Sequence, residues 1–209
     1  MAGESYCTVA AAAEDSFIEK KSEFIGYIAP VSTDEEAVAF INSIKARHRK
    51  AKHNVYAYAL RQGNITRYSD DGEPQGTAGV PVLEVLRKEG LTDVCCVVTR
   101  YFGGILLGGG GLVRAYSHAA KLAVDAAERM NMCPCRRLEV TANYSCYSVI
   151  ERTASKFGVK TADTIFADNV TLVLLCKSEN TDAFKAELID ITGGSAVIAV
   201  SEEIYENFA

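Results

Sequence analysis

Thr99-Arg-Tyr-Phe-Gly-Gly-Ile-Leu-Leu-Gly-Gly-Gly-Gly-Leu-Val-Arg-Ala-Tyr116 holds six glycines in eighteen residues. It follows the apolar run Asp93-Val-Cys-Cys-Val-Val-Thr99 and leads into a helical pattern from Leu112. The run is β-branched and Cys-rich throughout, which predicts a strand buried on both faces. Glycine tolerates left-handed backbone and lets the chain lie close against other backbone. A glycine loop that opens a helix also offers free N–H groups and the positive end of the helix dipole to an anion. Arg100 and Arg114 bracket the loop. Two readings stand at this point: a tight strand-to-helix connection packed against backbone, and a phosphate site formed by Gly108, Gly109, Gly110 and Gly111 with the two arginines. The spacing excludes the nucleotide fingerprints. No Lys-Ser/Thr pair follows as a Walker loop needs, and Val113 stands where a dinucleotide loop needs its third glycine.

Upstream of the strand, Phe24-Ile-Gly-Tyr-Ile-Ala29 reads as extended chain. Thr33-Asp-Glu-Glu36 is a capping box, and Ala37, Val38, Phe40, Ile41 and Ile44 recur at helical spacing to about Arg49. Val55–Leu60 and Asn64–Tyr68 are expected strands joined at Gln62-Gly63. Residues 69–81 are turn-rich, and Val82–Glu89 is an expected helix stopped by Gly90. The helix from Leu112 should run to about Met130 as a core helix, because its apolar residues cover much of its circumference.

Beyond Cys133-Pro-Cys-Arg-Arg137 the composition turns acidic. Net charge is +1 over residues 1–137 and −6 over 138–209. A domain boundary is placed near 136, giving domains at 1–136 and 137–209. The rear segment reads strand (Arg137–Tyr144), helix (Ser145–Phe157), strands (Val159–Phe166 and Asn169–Lys177), helix (Asn180–Thr192) and strand (Ser195–Val200). That order, βαββαβ, is the ferredoxin-like split arrangement. The fold class is therefore α+β in two domains.

The totals narrow the function classes. The length of 209 residues suits one large domain or two small ones, and 48% apolar content suffices for a buried core. No apolar run approaches the roughly 20 residues of a membrane helix. Met1-Ala-Gly-Glu-Ser-Tyr-Cys7 lacks a basic-then-apolar leader, so a cytoplasmic location without membrane contact is expected. Seven cysteines in an odd set, with Cys133-Pro-Cys135 a C-x-C and only three histidines, suit reduced, buried thiols better than a zinc cage.

Two further clusters could carry chemistry. Lys45-Ala-Arg-His-Arg-Lys-Ala-Lys-His53 holds five Lys/Arg and two His without an acid. Its Arg47, Arg49, Lys50, Lys52 and His53 are candidate phosphate contacts, against the plainer reading of a basic helix end that favours the dipole. Asp70, Asp71 and Glu73 could offer oxygens to Mg²⁺, against the plainer reading of a solvated turn whose aspartates bond local N–H groups. No cofactor is otherwise expected. No nucleophile stands out: there is no G-x-S-x-G, and Ser117 and His118 are neighbours on a helix.

Asp70–Pro81 and Val98–Tyr116, together with Lys20-Lys-Ser-Glu-Phe24 and His53–Tyr58, resemble the signature of the IMPACT family in its bacterial YigZ branch. The resemblance covers essentially the whole chain. It implies a front domain like the second domain of a small-subunit ribosomal protein and domain IV of elongation factor G, and a rear domain like domain V of that factor. Eukaryotic members regulate translation initiation through a partner-binding region that includes a front domain this chain does not show. Leu106 stands where many relatives carry Lys, which removes a cation beside the glycine loop. The expectation is a non-enzymatic, translation-linked, monomeric protein that binds RNA or the ribosome. The alternatives are an enzyme for a phosphate-bearing small molecule or nucleotide, with metal at Asp70–Glu73, and a protein-interaction module.

Overall fold

In the computed structural model, which describes residues 3–208, the chain divides into two compact units. One is Tyr6–Met130; the other comprises residues 131–208 with 3–5. The boundary expected near 136 falls inside a strand.

The first unit runs β1 (Tyr6–Val9), β2 (Ala13–Glu19), β3 (Ser22–Pro30), α1 (Asp34–Arg47), β4 (His53–Leu60), β5 (Ile65–Ser69), α2 (Gly79–Lys88), β6 (Val94–Tyr101) and α3 (Gly109–Ala126). Five strands form an antiparallel sheet in the order β2-β3-β6-β4-β5, and β1 bridges Leu91 through Cys7. β6 is the central strand and is buried from Val94 to Arg100. Its continuous apolar run has a direct cause. Val94, Cys96 and Val98 pack in the core with α2 and α3, while Cys95 and Val97 pack on the other face with α1 residues Ala37, Ile41 and Ile44. Burial pushes the Cys96 thiol up to about 12, so it stays protonated. All seven cysteines are free.

The local rules explain the elements. Thr33 caps α1 by accepting from Glu36 N–H at 3.2 Å, and Glu36 returns to Ser32 N–H at 2.6 Å, one residue outside the usual box. α2 starts at Gly79, earlier than expected, with Pro81 in its first turn where no N–H bond is needed. α3 likewise begins at Gly109 rather than Leu112. Three glycines each disfavour helix by about 1 kcal/mol, so periodicity alone places the start after them. Gly108, at φ 71 and ψ 164, turns the chain into the helix in a region that L side chains avoid. α3 ends at Ala126, short of the expected Met130, because the chain from Arg129 is taken up by a strand.

The second unit contains β7 (Arg129–Ala142), α4 (Tyr147–Lys156), β8 (Lys160–Phe166), β9 (Val170–Lys177), α5 (Thr181–Ile191) and β10 (Val197–Asn207). The strand order β10-β7-β9-β8, antiparallel throughout, is the ferredoxin-like topology. Leu138, Val140, Leu172 and Leu174 meet Ile150, Phe184 and Leu188 in its core. β7 and β10 are each longer than expected. Register pairing of Pro134 with Tyr205 and of Cys133 with Glu206 draws Cys133-Pro-Cys135 into the sheet. No helix among the described residues is long and apolar enough to cross a membrane.

Candidate functional site

Strand parity places the site. Arg100 shares the parity of Val94, Cys96 and Val98, so it lies on the α2/α3 face of the sheet. It stands opposite Phe24 on β3 and His53 on β4. At the end of these strands a cleft of about 320 Å³ opens, lined by Lys52, His53, Glu73, Pro74, Arg100, Phe102, Leu106, Leu107, Gly108, Gly109 and Leu112. Parts of the basic segment, the acidic loop and the glycine loop therefore meet in one place, within the first unit.

The acidic loop is built by its own aspartates. Asp70 Oδ1 accepts from the N–H groups of Ala78 (3.1 Å) and Gly79 (2.8 Å), and Oδ2 accepts from Gly76 N–H (2.9 Å). Asp70 thereby closes the loop and satisfies the start of α2. Asp71 Oδ1 accepts from Lys45 Nζ at 2.8 Å, and Oδ2 accepts from Asn54 N–H at 2.7 Å. Both aspartates point into the loop and its supports. Only Glu73 faces the cleft, so the three carboxylates are not brought together as a metal would need. Among the described residues no group of three His, Cys, Asp or Glu forms a metal cage.

Glu73 is the floor. Its Oε1 accepts from Arg100 Nη1 at 2.6 Å and from Tyr116 OH at 2.7 Å, with the Glu73 and Arg100 side chains 5% and 6% exposed. Burial, and then the Glu73 charge, push the Tyr116 hydroxyl far up, so it remains a donor. His53 Nδ1 donates to the Asp71 carbonyl at 2.9 Å, which fixes that ring proton, and Nε2 lies 3.9 Å from Glu73 Oε1. The Arg100 guanidinium sits between the rings of Phe24 and Phe102, 5.4 Å from each. Its Nε is buried without a partner, and its Nη2 makes no hydrogen bond with the protein.

The wall opposite is the start of α3. Leu112 N–H makes the first helical bond, to Gly108 O, at 2.9 Å, and no side chain caps the helix. The N–H groups of Gly109, Gly110 and Gly111 precede that bond and have no intrahelical acceptor. Of the charges in the cleft, Glu73 offsets Arg100. The net attraction for an anion therefore rests on Lys52, the open donors of Arg100 and the helix end. Phe102 and Leu106, 47% and 82% exposed, form an apolar rim.

The remaining candidates lie elsewhere. Arg47 is bidentate to Glu14, at 2.7 and 3.1 Å, and lies over the Tyr27 ring; it does not line the cleft. Arg49 and Lys50 are exposed in the turn after α1. Arg114 and Gly111 line a separate pocket. Tyr116, Phe24 and Phe102 complete the site and were not read from the sequence. The signal for Phe24 was its place opposite Arg100, which only strand pairing reveals.

His48 belongs to the opposite face of the sheet. Its Nε2 meets Tyr27 OH at 2.7 Å and its Nδ1 meets Tyr101 OH at 2.9 Å. Burial first, and Arg47 second, hold its pKa below the usual 6.5, against the opposing pull of Glu14 and Glu23. The unfolded chain therefore binds the proton more readily. Stability is complete above about pH 6.5 and declines as pH falls below it. Chemical denaturation between about pH 7.5 and about pH 5.5 should show this decline, and His48→Gln should flatten it. An unchanged slope in the variant would remove His48 as its source.

Comparison with known proteins adds to this geometry. The family profile described as Impact N-terminal domain matches residues 20–124, and a domain of unknown function, DUF1949, matches residues 140–195. The chain is 39% identical to the IMPACT family member YvyE of Bacillus subtilis, over 96% of this chain and 93% of that one. It is 33% identical to the IMPACT family member YigZ of Escherichia coli, over 88% and 92%. A crystal structure of a hypothetical protein is similar at a TM-score of 0.62, with 32% identity over 96% of this chain and 98% of the other.

Proposed function

This chain belongs to the IMPACT family, and we propose that it is a non-enzymatic, cytoplasmic, translation-linked protein whose first unit binds RNA by its phosphates. The observation that carries this reading is the cleft itself. The uncapped start of α3 faces Lys52 and the open Arg100 donors across about 320 Å³. Helix N-termini of this kind accept phosphate oxygens. The exposed Phe102 ring at the rim offers a face on which a base can stack, and the exposed Arg49 and Lys50 extend the basic approach. The family's likeness to ribosome-acting domains supports the same substrate. Glu73 supports binding over catalysis, because its Oε1 is committed to Arg100 and Tyr116.

The test is fluorescence anisotropy with a labelled single-stranded RNA across a salt series. Binding should weaken linearly in log–log form with salt. Lys52→Ala should make the slope shallower by about 0.7, one phosphate contact on a single strand. Arg47→Ala should leave it unchanged, since Arg47 is held by Glu14. Failure of the wild-type protein to bind RNA at low salt would sink the proposal. Binding of a mononucleotide or inorganic phosphate without RNA would favour the small-ligand reading instead, to which His53 Nε2, open beside Glu73, lends itself.

A further inference from the structure

The sequence signature Lys20-Lys-Ser-Glu-Phe24 plays no part in the cleft, yet the structure gives it an unusual conformation. Lys20 and Lys21 form the two-residue turn between β2 and β3, and both have positive φ, 46 and 65. Turns of this kind are normally made by Asn-Gly or Gly-Gly, because other side chains are strained there. The turn is held against the glycine loop. A Cβ on Gly103 would lie 2.0 Å from the Lys21 carbonyl carbon and oxygen, and Gly103 N–H donates to Ser22 Oγ at 3.1 Å.

The strained turn delivers Lys20 to a second pocket, of about 290 Å³, on the other flank of the α3 start. Lys20, Arg114 and His118 line it together with Gly111; Glu19 is the one acid there, and Leu107 is a wall shared with the first cleft. The Lys20 and Arg114 side chains form no ion pair or hydrogen bond among the described residues. Arg114 Nη1 lies back over the first turn of α3, 3.8 Å from where a Cβ on Gly110 would be. A cation at that end of a helix opposes the dipole. Two features thus cost stability at one place, and both set positive charge beside the same uncapped N–H groups that Arg100, buried with its Nε orphaned, faces from the first cleft.

Resting on the RNA reading above, we infer that the α3 start is straddled rather than filled: one single strand of RNA crosses Leu107, setting one phosphate in the Lys52–Arg100 cleft and a neighbouring phosphate in the Lys20–Arg114 pocket. The strained lysine turn and the arginine at the wrong helix end are then retained for the ligand, as functional sites commonly hold strain.

The inference separates stability from binding. Lys20→Gly relieves the positive φ, and Arg114→Ala removes the opposed charge. The double variant should therefore melt higher than wild type, by about 2–4 °C. It should also bind a single-stranded RNA of about ten nucleotides, within the range of such grooves, at least tenfold more weakly at low salt. Its salt slope should be shallower by about 1.4, for two lost contacts. If the wild type binds RNA with Lys52 dependence and the double variant matches it in affinity and slope, the second pocket is overturned while the RNA reading stands. A double variant that melts lower than wild type would show the two residues to be structural and overturn the inference as well. If the wild type binds no RNA, both readings fall together.

Discussion

Glu73→Ala should destabilise the first unit by about 3–5 kcal/mol, the usual cost of removing one partner from a buried ion pair. Arg100 has a side chain only 6% exposed and keeps no other anionic partner. Tyr116 OH would lose its acceptor at the same time. The two losses share one carboxylate and will not add as independent terms. Urea unfolding of the intact chain, followed by a signal from the first unit, measures the effect. Glu73→Gln keeps an acceptor oxygen for Tyr116 and Arg100 but removes the charge, so it should fall between wild type and Glu73→Ala. Adding Arg100→Met to Glu73→Ala should recover part of the loss, because a buried apolar chain needs no counter-charge. A loss below about 1 kcal/mol for Glu73→Ala would mean that Arg100 finds water once Glu73 is gone.

Gly26→Ala should be comparably damaging for a purely steric reason. Gly26 lies on β3 beneath α3, and a Cβ there would sit 2.2 Å from the Ala119 carbonyl oxygen and 2.9 Å from its carbon. Both are backbone atoms, so no side-chain rotation relieves the clash and the helix must move. Overpacking costs about 1–3 kcal/mol where side chains can adjust; here about 3 kcal/mol or more is expected. Gly90→Ala is the control. Its φ is +66 with no atom near the added carbon, so it should cost only the left-handed backbone term, about 1–2 kcal/mol. Equal losses in the two variants would show that the β3–α3 approach is softer than this packing implies.

The architecture was legible where periodicity and punctuation agreed. In the second unit each element ends at a turn signal, such as Gly158 or Gly193-Gly194, all at positive φ, and the βαββαβ order followed. The ends of β7 and β10 were not legible. Acidic residues such as Glu203 and Glu206 obscure the strand pattern, and only the pairing of Pro134 with Tyr205 shows that both strands continue. The start of α3 was hidden because glycine propensity opposes the helix that the tertiary structure imposes.

The site was legible in outline. The acidic loop, His53 and the glycine loop could be picked from the chain, and they do converge. Individual roles could not be assigned. Asp70 and Glu73 are three residues apart in one turn, yet one is committed to backbone N–H groups and the other to a buried arginine. That difference depends on which way each side chain leaves the loop. Arg47 and Lys52 differ likewise: Arg47 lies on the last turn of α1 facing Glu14, and Lys52 lies where β4 begins beside the cleft. Lys20 was noticed only as part of a signature, because nothing local reports that its turn is docked against Gly103.

The central claim is that the open N–H groups at the start of α3 receive RNA phosphate. Amide-resolved NMR of the intact, ¹⁵N-labelled protein, titrated with single-stranded RNA, tests it directly. The amides of Gly109, Gly110 and Gly111 should shift together and saturate with the binding isotherm, while those of Gly90 and Gly158 stay in place. RNA that binds the protein yet leaves the three α3 amides unmoved would contradict the account.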